Sequence, residues 1–206
     1  MGFLLGREEG MIGKETKRIE GKVGLRSVQN VDIQLKDCFI PESLRLTNAT
    51  SWATGPAQCL FYTRLIAAWI AVGCAMGAYE AALDYALSRK QFGKPLASFQ
   101  IIQEKLVRAL AIIQAQMLFC LHVSREYDAE RLTFGQASFC KAQATLPLRD
   151  AVRLCREVMG GNGMIGDFIA ARHMMDIEAI YSYEGTYDIN SLFVFTFSFF
   201  SFDSQD

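Results

Sequence analysis

The sequence predicts an α+β protein that is mainly α-helical, with a small β portion over residues 1–50 and a helical bundle over 51–192. Hydrophobic residues make up 51% of the 206 and charged residues 21%, which is typical of a chain that buries a core. In the run VDIQL at 31–35, apolar and polar residues alternate with the period of a half-buried strand. Later segments are rich in Ala, Leu, Ile and Gln, with apolar residues three and four positions apart, as on the core face of a helix.

Short β-type runs separated by Gly, Asn and Asp predict three strands in the first portion. These runs lie at 3–5, 31–35 and 38–40. The polar segment that follows ends in Gly55-Pro56, a pair typical of a connector that leads into a helix. The boundary between the β portion and the bundle is therefore predicted near residue 50.

Three long helices and one shorter helix are predicted in the second portion. The segments are 58–88, 99–126, 134–159 and 167–180. Thr133 is a plausible N-cap of the third, because Gln136 follows three residues later and can complete a capping box. Pro147 interrupts the third segment, so the helix either kinks there or begins later. The sequence GGNG at 160–163 predicts the end of that helix.

The end of the chain, residues 193–206, has a different composition. Six Phe fall within ten charge-free residues, alternating with Thr and Ser. Such a pattern is β-prone and aggregation-prone and does not continue a helical periodicity. We therefore predict a tail that starts at Phe193 and is foreign to the bundle.

Charge and cysteine content exclude several function classes. Lys plus Arg total 21 against 22 Asp plus Glu, so no nucleic-acid partner is expected. The six cysteines are widely spaced without a CxxC pair, which favours free buried thiols. His122 and His173 lie far apart without metal-ligand spacing, so no metal site is expected.

The most apolar uncharged run is LIAAWIAVGCAMGAY at 65–79, with fifteen residues. As a helix it would rise only about 22 Å, which is too short to span a bilayer. The first residues of the chain have a very short apolar patch and mixed charges, unlike a secretion signal. We expect no membrane partner and no export signal.

Glu184 is the first candidate for chemistry. It lies among Tyr181, Tyr183 and Tyr187 and directly before a Gly, so its carboxylate would be partly desolvated and a better proton acceptor. The alternative is an ordinary carboxylate at a helix start. The cations of 89–94 are either a phosphate clamp or caps of a helix C-terminus.

Four segments, in the same order along the chain, resemble the acyl-CoA dehydrogenase and acyl-CoA oxidase family. They are KVGLRSVQNVDIQLKDCFIP at 22–41, RKQFGKPLASFQ at 89–100, EVMGGNG at 157–163 and DIEAIYSYEGTYDIN at 176–190. Within the family, the resemblance is strongest to the plant peroxisomal short-chain oxidases and the glutaryl-CoA dehydrogenases. It implies that residues 1–50 are the end of the family's middle β-domain and that 51–192 form most of its C-terminal helical bundle. The family's N-terminal helical domain and early β-domain would then lie outside this sequence.

The resemblance implies FAD-dependent α,β-dehydrogenation of a short-chain acyl-CoA to the 2,3-enoyl-CoA in fatty-acid β-oxidation, by an oxidase or a dehydrogenase. The expected partners are the acyl-CoA substrate and further copies of the chain, as a dimer of dimers. The alternative is a non-catalytic partial subunit that associates with full-length family members. The resemblance also implies a peroxisomal location, with mitochondrion or cytosol as alternatives.

Site residues follow from the same resemblance. Glu184 corresponds to the base that removes the α-proton of the acyl thioester. Gly185 and Arg64 correspond to positions beside the substrate. FAD contacts, often across a subunit interface, are implied for Arg89, Gln91, Phe92, Phe99, Gln100, Glu157, Gly160, Gly161, Thr186 and Asp188.

Overall fold

The computed structural model describes residues 1–5 and 14–199. The chain divides into two units, Met1–Leu60 and Phe61–Asp206. The described part of the first unit contains antiparallel strand pairs: β1 (Gly2–Phe3) with β4 (Arg45–Leu46), and β2 (Lys14–Arg18) with β3 (Val31–Leu35). The strand predicted at 31–35 is confirmed, and β1 overlaps the run predicted at 3–5. The strand predicted at 38–40 is wrong, because Asp37 takes a left-handed conformation (φ 50°) that turns the chain just before it.

β3 is not half-buried as its alternating pattern predicts. Its apolar side chains Val31, Ile33 and Leu35 are 40–55% exposed. The β2–β3 hairpin has two strands, and the described residues of this unit place no second layer over its apolar face. Sequence alternation therefore identified the strand correctly, but the strand remains exposed on both faces.

The second portion is helical, as predicted. Its helices are α1 (Pro56–Ser88), α2 (Gln100–Asp128), α3 (Phe134–Val158), α4 (Ile169–Ser182) and α5 (Tyr187–Phe199). α3 is the central helix, since it packs against α2, α4 and α5. A small hairpin, β5 (Lys90–Gln91) with β6 (Lys94–Pro95), connects α1 to α2. The fold class predicted from the sequence is confirmed.

Small side chains allow the helices of the bundle to approach closely. α1 buries a stripe of alanines at 67, 68, 71, 75, 78, 82 and 86, and α3 buries a similar set. Such stripes bring helix backbones near one another, so that a long polar side chain on one helix can reach the backbone of the next. Cys74, Cys120, Cys140 and Cys155 are free thiols buried in this core, as expected. The other two differ, because Cys38 is half-buried and Cys59 is exposed.

α3 begins with the capping box that the sequence predicts. The Thr133 hydroxyl accepts a hydrogen bond from the Gln136 backbone N–H, and the Gln136 side chain accepts one from the Thr133 N–H. Pro147 lies inside the helix, so a later start is excluded. Its ring provides no N–H, and the carbonyl four residues earlier therefore lacks its helical donor.

α1 and α2 are each long and apolar enough to cross a membrane by length and composition. The apolar run at 65–79 is part of a 33-residue helix, so the expectation that it is too short was wrong. Core helices of a bundle share these properties, and the alanine stripe of α1 is buried. Length and composition are therefore weak evidence for a membrane span.

The prediction that the chain leaves the helical domain at Phe193 was wrong. Residues 193–199 continue α5, and 200–206 lie outside the described residues. The Phe193 ring packs edge-on against the Phe134 ring, with centroids 5.2 Å apart, and lies 4.8 Å from the Arg64 guanidinium. These contacts join the α5 helix to the start of α3, and tertiary packing overrides the local β propensity of the Phe-rich sequence.

We expect Phe193→Ala to lower the free energy of unfolding by about 2 kcal/mol, because one aromatic pair and one cation–π contact are lost. Leu192→Ala is the matched control, since Leu192 is 62% exposed and should change stability by less than about 0.5 kcal/mol. Urea unfolding followed by helical circular dichroism measures both. Equal effects of the two substitutions would show that Phe193 is not part of the packed domain.

Candidate active site

Glu184 lies in the tight turn between α4 and α5. Glu184 and Gly185 both have left-handed backbones, with φ values of 55° and 86°. At Gly185 a Cβ atom would lie 3.0 Å from the Asn190 side-chain nitrogen and 3.5 Å from an Arg64 nitrogen. The left-handed backbone and the limited space together require glycine at this position.

The turn is capped from within α5 by Asn190, which is fully buried. Its Nδ2 donates to the carbonyls of Gly185 (2.7 Å), Thr186 (3.0 Å) and Glu184 (3.4 Å). Thr186 accepts a hydrogen bond from Ile189 N–H at its Oγ1 and so caps the first turn of α5. The backbone around Glu184 is therefore fixed by side chains that the helices themselves supply.

The Glu184 carboxylate is half-buried and held from α1. The Thr63 hydroxyl donates to Glu184 Oε2 at 2.5 Å. The neighbouring Tyr181 and Tyr187 rings stack with centroids 6.2 Å apart. Burial, and after it the negative charge of Glu184, raises the pKa of Tyr183. The carboxylate thus has a fixed orientation in a partly aromatic setting.

Arg64 lies on the inner side of the turn and is 2% exposed. Its Nε donates to the Glu184 carbonyl at 3.3 Å and its Nη1 to Ser138 Oγ at 2.5 Å. The Arg64 guanidinium lies 4.5 Å from the centroid of the Phe134 ring, and it also contacts the Phe193 ring. Burial lowers the pKa of Arg64, and the charge of Glu184 partly opposes this. Its substrate contact stays a prediction, since the partners seen here are protein groups.

Lys141, a fully buried lysine of α3, was missed at the level of sequence. Its Nζ donates to the Tyr181 carbonyl at 2.7 Å and to the Gly185 carbonyl at 2.6 Å. Burial, and after it the charge of Arg64, lowers the pKa of Lys141 to about 8, while the charge of Glu184 opposes both. A signal was present: Lys141 falls on the same helical stripe as buried apolar residues of α3, where a solvated lysine is not expected.

The residues predicted to contact the cofactor around position 90 form the exposed β5–β6 hairpin. Arg89 and Gln91 are exposed, and Phe92 is 91% exposed at the tip. Phe92 and Gly93 have positive φ values of 52° and 79°, as in a two-residue hairpin turn. These cations therefore do not cap the C-terminus of α1. They lie on a hairpin and are exposed to solvent.

The base of the hairpin is ordered by aromatic and cationic contacts. Phe99 packs edge-on against Phe92, with centroids 6.1 Å apart, and lies 4.4 Å below the Lys94 ammonium. Gln100 begins α2 and is exposed. The surface here is cationic and aromatic, a chemistry that suits a phosphate and a flat ring.

The glycine-rich segment after α3 lies at the same end of the bundle. Asn162 donates to the Tyr85 hydroxyl near the end of α1 at 2.9 Å. Glu157 forms ion pairs with Lys105 and Arg153, and the Lys105 hydrogen bond, more than Arg153, lowers the pKa of Glu157. Gly160 and Gly161 are exposed, and a Cβ at either would meet nothing within 4 Å. Their backbone is thus open to an approaching ligand.

The predicted site residues separate into two groups at opposite ends of α1. Arg64 lies near the start of this helix and Arg89 just after its end, which corresponds to about 37 Å at 1.5 Å per residue. Thr186 and the exposed Asp188 lie with the base; the other predicted cofactor residues lie at the far end. One copy of the chain therefore does not bring the two groups together.

The far group fits the phosphate-bearing half of a dinucleotide. Arg89, Lys90 and Lys94 provide exposed cations, and Gly160 and Gly161 are exposed without a side chain that would keep a phosphate away. Among the described residues, no cluster of His, Cys, Asp or Glu could hold a metal ion. The structure thus defines a helical domain with a fixed carboxylate at one end and an exposed cationic surface at the other.

Comparisons with known proteins identify this domain. The profile of the acyl-CoA dehydrogenase C-terminal domain matches residues 56–195, and the chain belongs to this family. Rice mitochondrial isovaleryl-CoA dehydrogenase is 26% identical over 191 residues, covering 91% of this chain and 46% of the relative. Human mitochondrial short-chain specific acyl-CoA dehydrogenase is 27% identical over 175 residues, covering 85% and 42%.

Solved structures agree with this assignment. Glutaryl-CoA dehydrogenase from Mycobacterium smegmatis superposes with a TM-score of 0.88 at 31% identity, covering 95% of this chain and 50% of that one. The same kind of enzyme from that organism, in complex with FADH2, has a TM-score of 0.89. Butyryl-CoA dehydrogenase from Megasphaera elsdenii has a TM-score of 0.84 at 26% identity, covering 93% and 50%. The chain spans about half the length of the relatives it matches.

The buried lysine makes stability depend on pH in a defined direction. The pKa of Lys141 is about 8 in the folded chain, whereas an exposed lysine of the unfolded chain has a pKa of 10.5. Between these two pH values the unfolded chain therefore binds more protons than the folded chain. Stability from this group is therefore lost as pH falls through 8 and is fully present above 10.5. Against Lys141→Met, wild type should gain up to about 3 kcal/mol between pH 8 and pH 10.5. Urea unfolding across that range measures the difference, and parallel curves would contradict it.

Proposed function

We propose that the chain supplies the C-terminal domain of an FAD-dependent enzyme that converts an acyl-CoA to its 2,3-enoyl-CoA, with Glu184 as the base. The observation that carries this proposal is the fixed carboxylate. Thr63 holds one oxygen of Glu184, while Arg64 and Asn190 hold its backbone carbonyl. A base that is held in one orientation before substrate arrives loses little entropy in the proton transfer.

Each residue of the site has a defined task in this reaction. Glu184 Oε2 accepts the Thr63 hydrogen bond, so we assign removal of the α-proton of the thioester to Oε1. A bound FAD would supply the acceptor for the hydride that leaves the β-carbon as the bond between the α and β carbons becomes double. Gly185 allows Asn190 and Arg64 to approach the turn closely, because a Cβ atom at this position would meet both side chains. The buried cation of Arg64 stabilises the turn and adds positive charge near the carboxylate.

We assign a short acyl chain and a dehydrogenase reaction. The names of the similar proteins support both choices, since they are dehydrogenases of isovaleryl-CoA, butyryl-CoA, glutaryl-CoA and short-chain acyl-CoA. The oxidase alternative differs in the acceptor of the electrons, which is O2. Formation of hydrogen peroxide during turnover would favour the oxidase.

Assembly of several copies follows from the separation of the two groups of residues. FAD held by Arg89, Gln91 and the glycines of one copy could meet Thr186 and Asp188 only on another copy, because the groups lie at opposite ends of α1. We therefore propose a homo-oligomer, or association with longer members of the family. If the chain associates but has no turnover, it acts as a non-catalytic subunit instead.

We expect Glu184→Gln to reduce turnover at least about 100-fold, the range for a positioned acid–base group. The assay uses a hybrid protein, in which this chain is joined to the part of the M. smegmatis glutaryl-CoA dehydrogenase that it does not cover. Enoyl-CoA formation from butyryl-CoA and glutaryl-CoA gives kcat and KM. Glu104→Gln is the control, because Glu104 lies exposed on α2 in an ion pair with Arg108.

Two results would contradict the proposal. In the first, the hybrid protein binds flavin and Glu184→Gln keeps wild-type turnover. In the second, the hybrid protein binds flavin and the wild-type sequence has no turnover with any short-chain acyl-CoA.

FAD binding by the chain itself should depend on chain concentration more steeply than a one-to-one complex predicts, since each site needs two copies. Fluorescence polarisation of FAD, with sedimentation of the same samples, measures binding and assembly together. Arg89→Ala should weaken binding about 10-fold, because a charge-assisted phosphate contact is lost. Arg108→Ala, on the exposed face of α2, should not. Tight binding to single copies would contradict the shared site.

The compartment proposed from the resemblance is the peroxisome, with mitochondrion or cytosol as alternatives. Two similar proteins carry the word mitochondrial in their names, which supports the second of these. Immunofluorescence of the endogenous protein with markers of both organelles distinguishes the three.

A further inference from the structure

The turn that carries Glu184 has a conformation that the local sequence does not favour. A non-glycine residue with φ near 55° has a strained backbone, and a second left-handed residue follows directly. Such a turn persists only where its surroundings hold it. Neighbouring groups must therefore hold the turn that carries Glu184.

Lys141 joins the two sides of this turn. Its Nζ bonds the Tyr181 carbonyl, in the last turn of α4, and the Gly185 carbonyl, after the base. Arg64 and Asn190 bond carbonyls from Glu184 onward. Lys141 therefore connects the helix before the base to the residue after it.

Burial makes this connection strong. An ammonium group with no access to water needs acceptors, and a buried charge that loses them is costly. At 2.6 and 2.7 Å, the two carbonyls are close, charge-assisted partners of Lys141. The Tyr181 carbonyl is one of those that a helix C-terminus leaves without a helical donor. The turn and the lysine thus stabilise each other.

We propose that Lys141 is a positioning residue for Glu184: through the carbonyls of Tyr181 and Gly185 it fixes the turn and thereby the place of the carboxylate. This inference rests on the proposed function of Glu184 as the base. Lys141 itself bonds backbone atoms, and its contacts with the substrate are not part of the proposal. Its effect on the reaction passes through the position of the base.

The first test measures the turn itself in the full chain, without flavin or substrate. Lys141→Met replaces the ammonium by an apolar group of similar length, and Lys141→Gln keeps N–H donors without charge. Hydrogen exchange by mass spectrometry should show at least about 10-fold faster exchange of amides 184–187 in Lys141→Met, with the end of α3 unchanged. Lys141→Gln should give a smaller increase.

Thr145→Val is the matched control for this test. Thr145 is fully buried on α3, one turn after Lys141, and its hydroxyl donates to the Lys141 carbonyl at 2.8 Å. Its loss removes a buried hydrogen bond without touching the turn. We expect Thr145→Val to leave the exchange of amides 184–187 unchanged.

The second test uses the hybrid protein. A base displaced by a fraction of an ångström to one ångström loses rate, so Lys141→Met should lower kcat about 10-fold to 100-fold with KM changed less than about 3-fold. Flavin content should stay the same. Combined with Glu184→Gln, Lys141→Met should cost nothing further, because it acts through the base.

Each other result overturns the proposal. Unchanged exchange at 184–187 in Lys141→Met, or faster exchange throughout the chain, would overturn it without any activity measurement. Failure of both Lys141→Met and Lys141→Gln to fold would assign the lysine a general structural role. If Glu184→Gln loses turnover while Lys141→Met retains it, the positioning role fails and the function of Glu184 stands. If Glu184→Gln retains turnover, the proposed function fails first.

Discussion

The helical domain depends on the pairing of two buried cations with the backbone of the turn between α4 and α5. Lys141 and Arg64 lie in the core and bond carbonyls at 181, 184 and 185. Buried cations need hydrogen-bond acceptors. A helix end followed by a left-handed turn supplies carbonyls that accept no hydrogen bond from within the helix. α1, α3, α4 and α5 must therefore meet at one point, which is the point where Glu184 is carried.

Close packing of small side chains makes this meeting possible. The alanine stripe of α1 and the Ala, Ser, Cys and Thr positions of α3 bring helix axes near each other. A lysine side chain can then extend from the middle of one helix to the end of another. Phe134 and Phe193 complete the arrangement, because their rings cover the guanidinium of Arg64 on two sides. The core is thus apolar in bulk and polar at one place.

Much of the fold could be predicted from the sequence, since apolar periodicity and the Thr133 cap are local signals. The same signals failed where the outcome is set by distant contacts. The Phe-rich end has a β-prone local sequence, yet Phe193 is helical because Phe134 of α3 and Arg64 of α1 pack against it. The alternation in β3 predicts a buried face. Burial of that face, however, depends on other elements that pack against the strand, and the sequence of the strand does not specify them.

The site was predictable only in part, for a similar reason. Glu184 was recognised through its aromatic neighbours and the family resemblance, whereas Lys141 was passed over. A charged residue in a helix is normally assigned to solvent, and only its phase relative to the apolar stripe indicates otherwise. The acceptors of Lys141 lie 40 and 44 residues away, at a turn whose geometry no local pattern specifies. Hydrogen bonds between residues this far apart in the sequence can be identified only from the three-dimensional structure.

The two ends of the bundle differ in a way that bears on assembly. The end with Glu184 is fixed by buried side chains of this chain, and the end with the β5–β6 hairpin exposes Arg89, Phe92 and the backbone of Gly160. A 33-residue helix separates them, and a helix of this length acts as a rigid spacer. In the proposed homo-oligomer, a ligand that contacts both ends lies between two copies, so the fixed end of one copy can order the exposed end of another. Ligand binding and association would then stabilise each other, because each supplies contacts that the other requires.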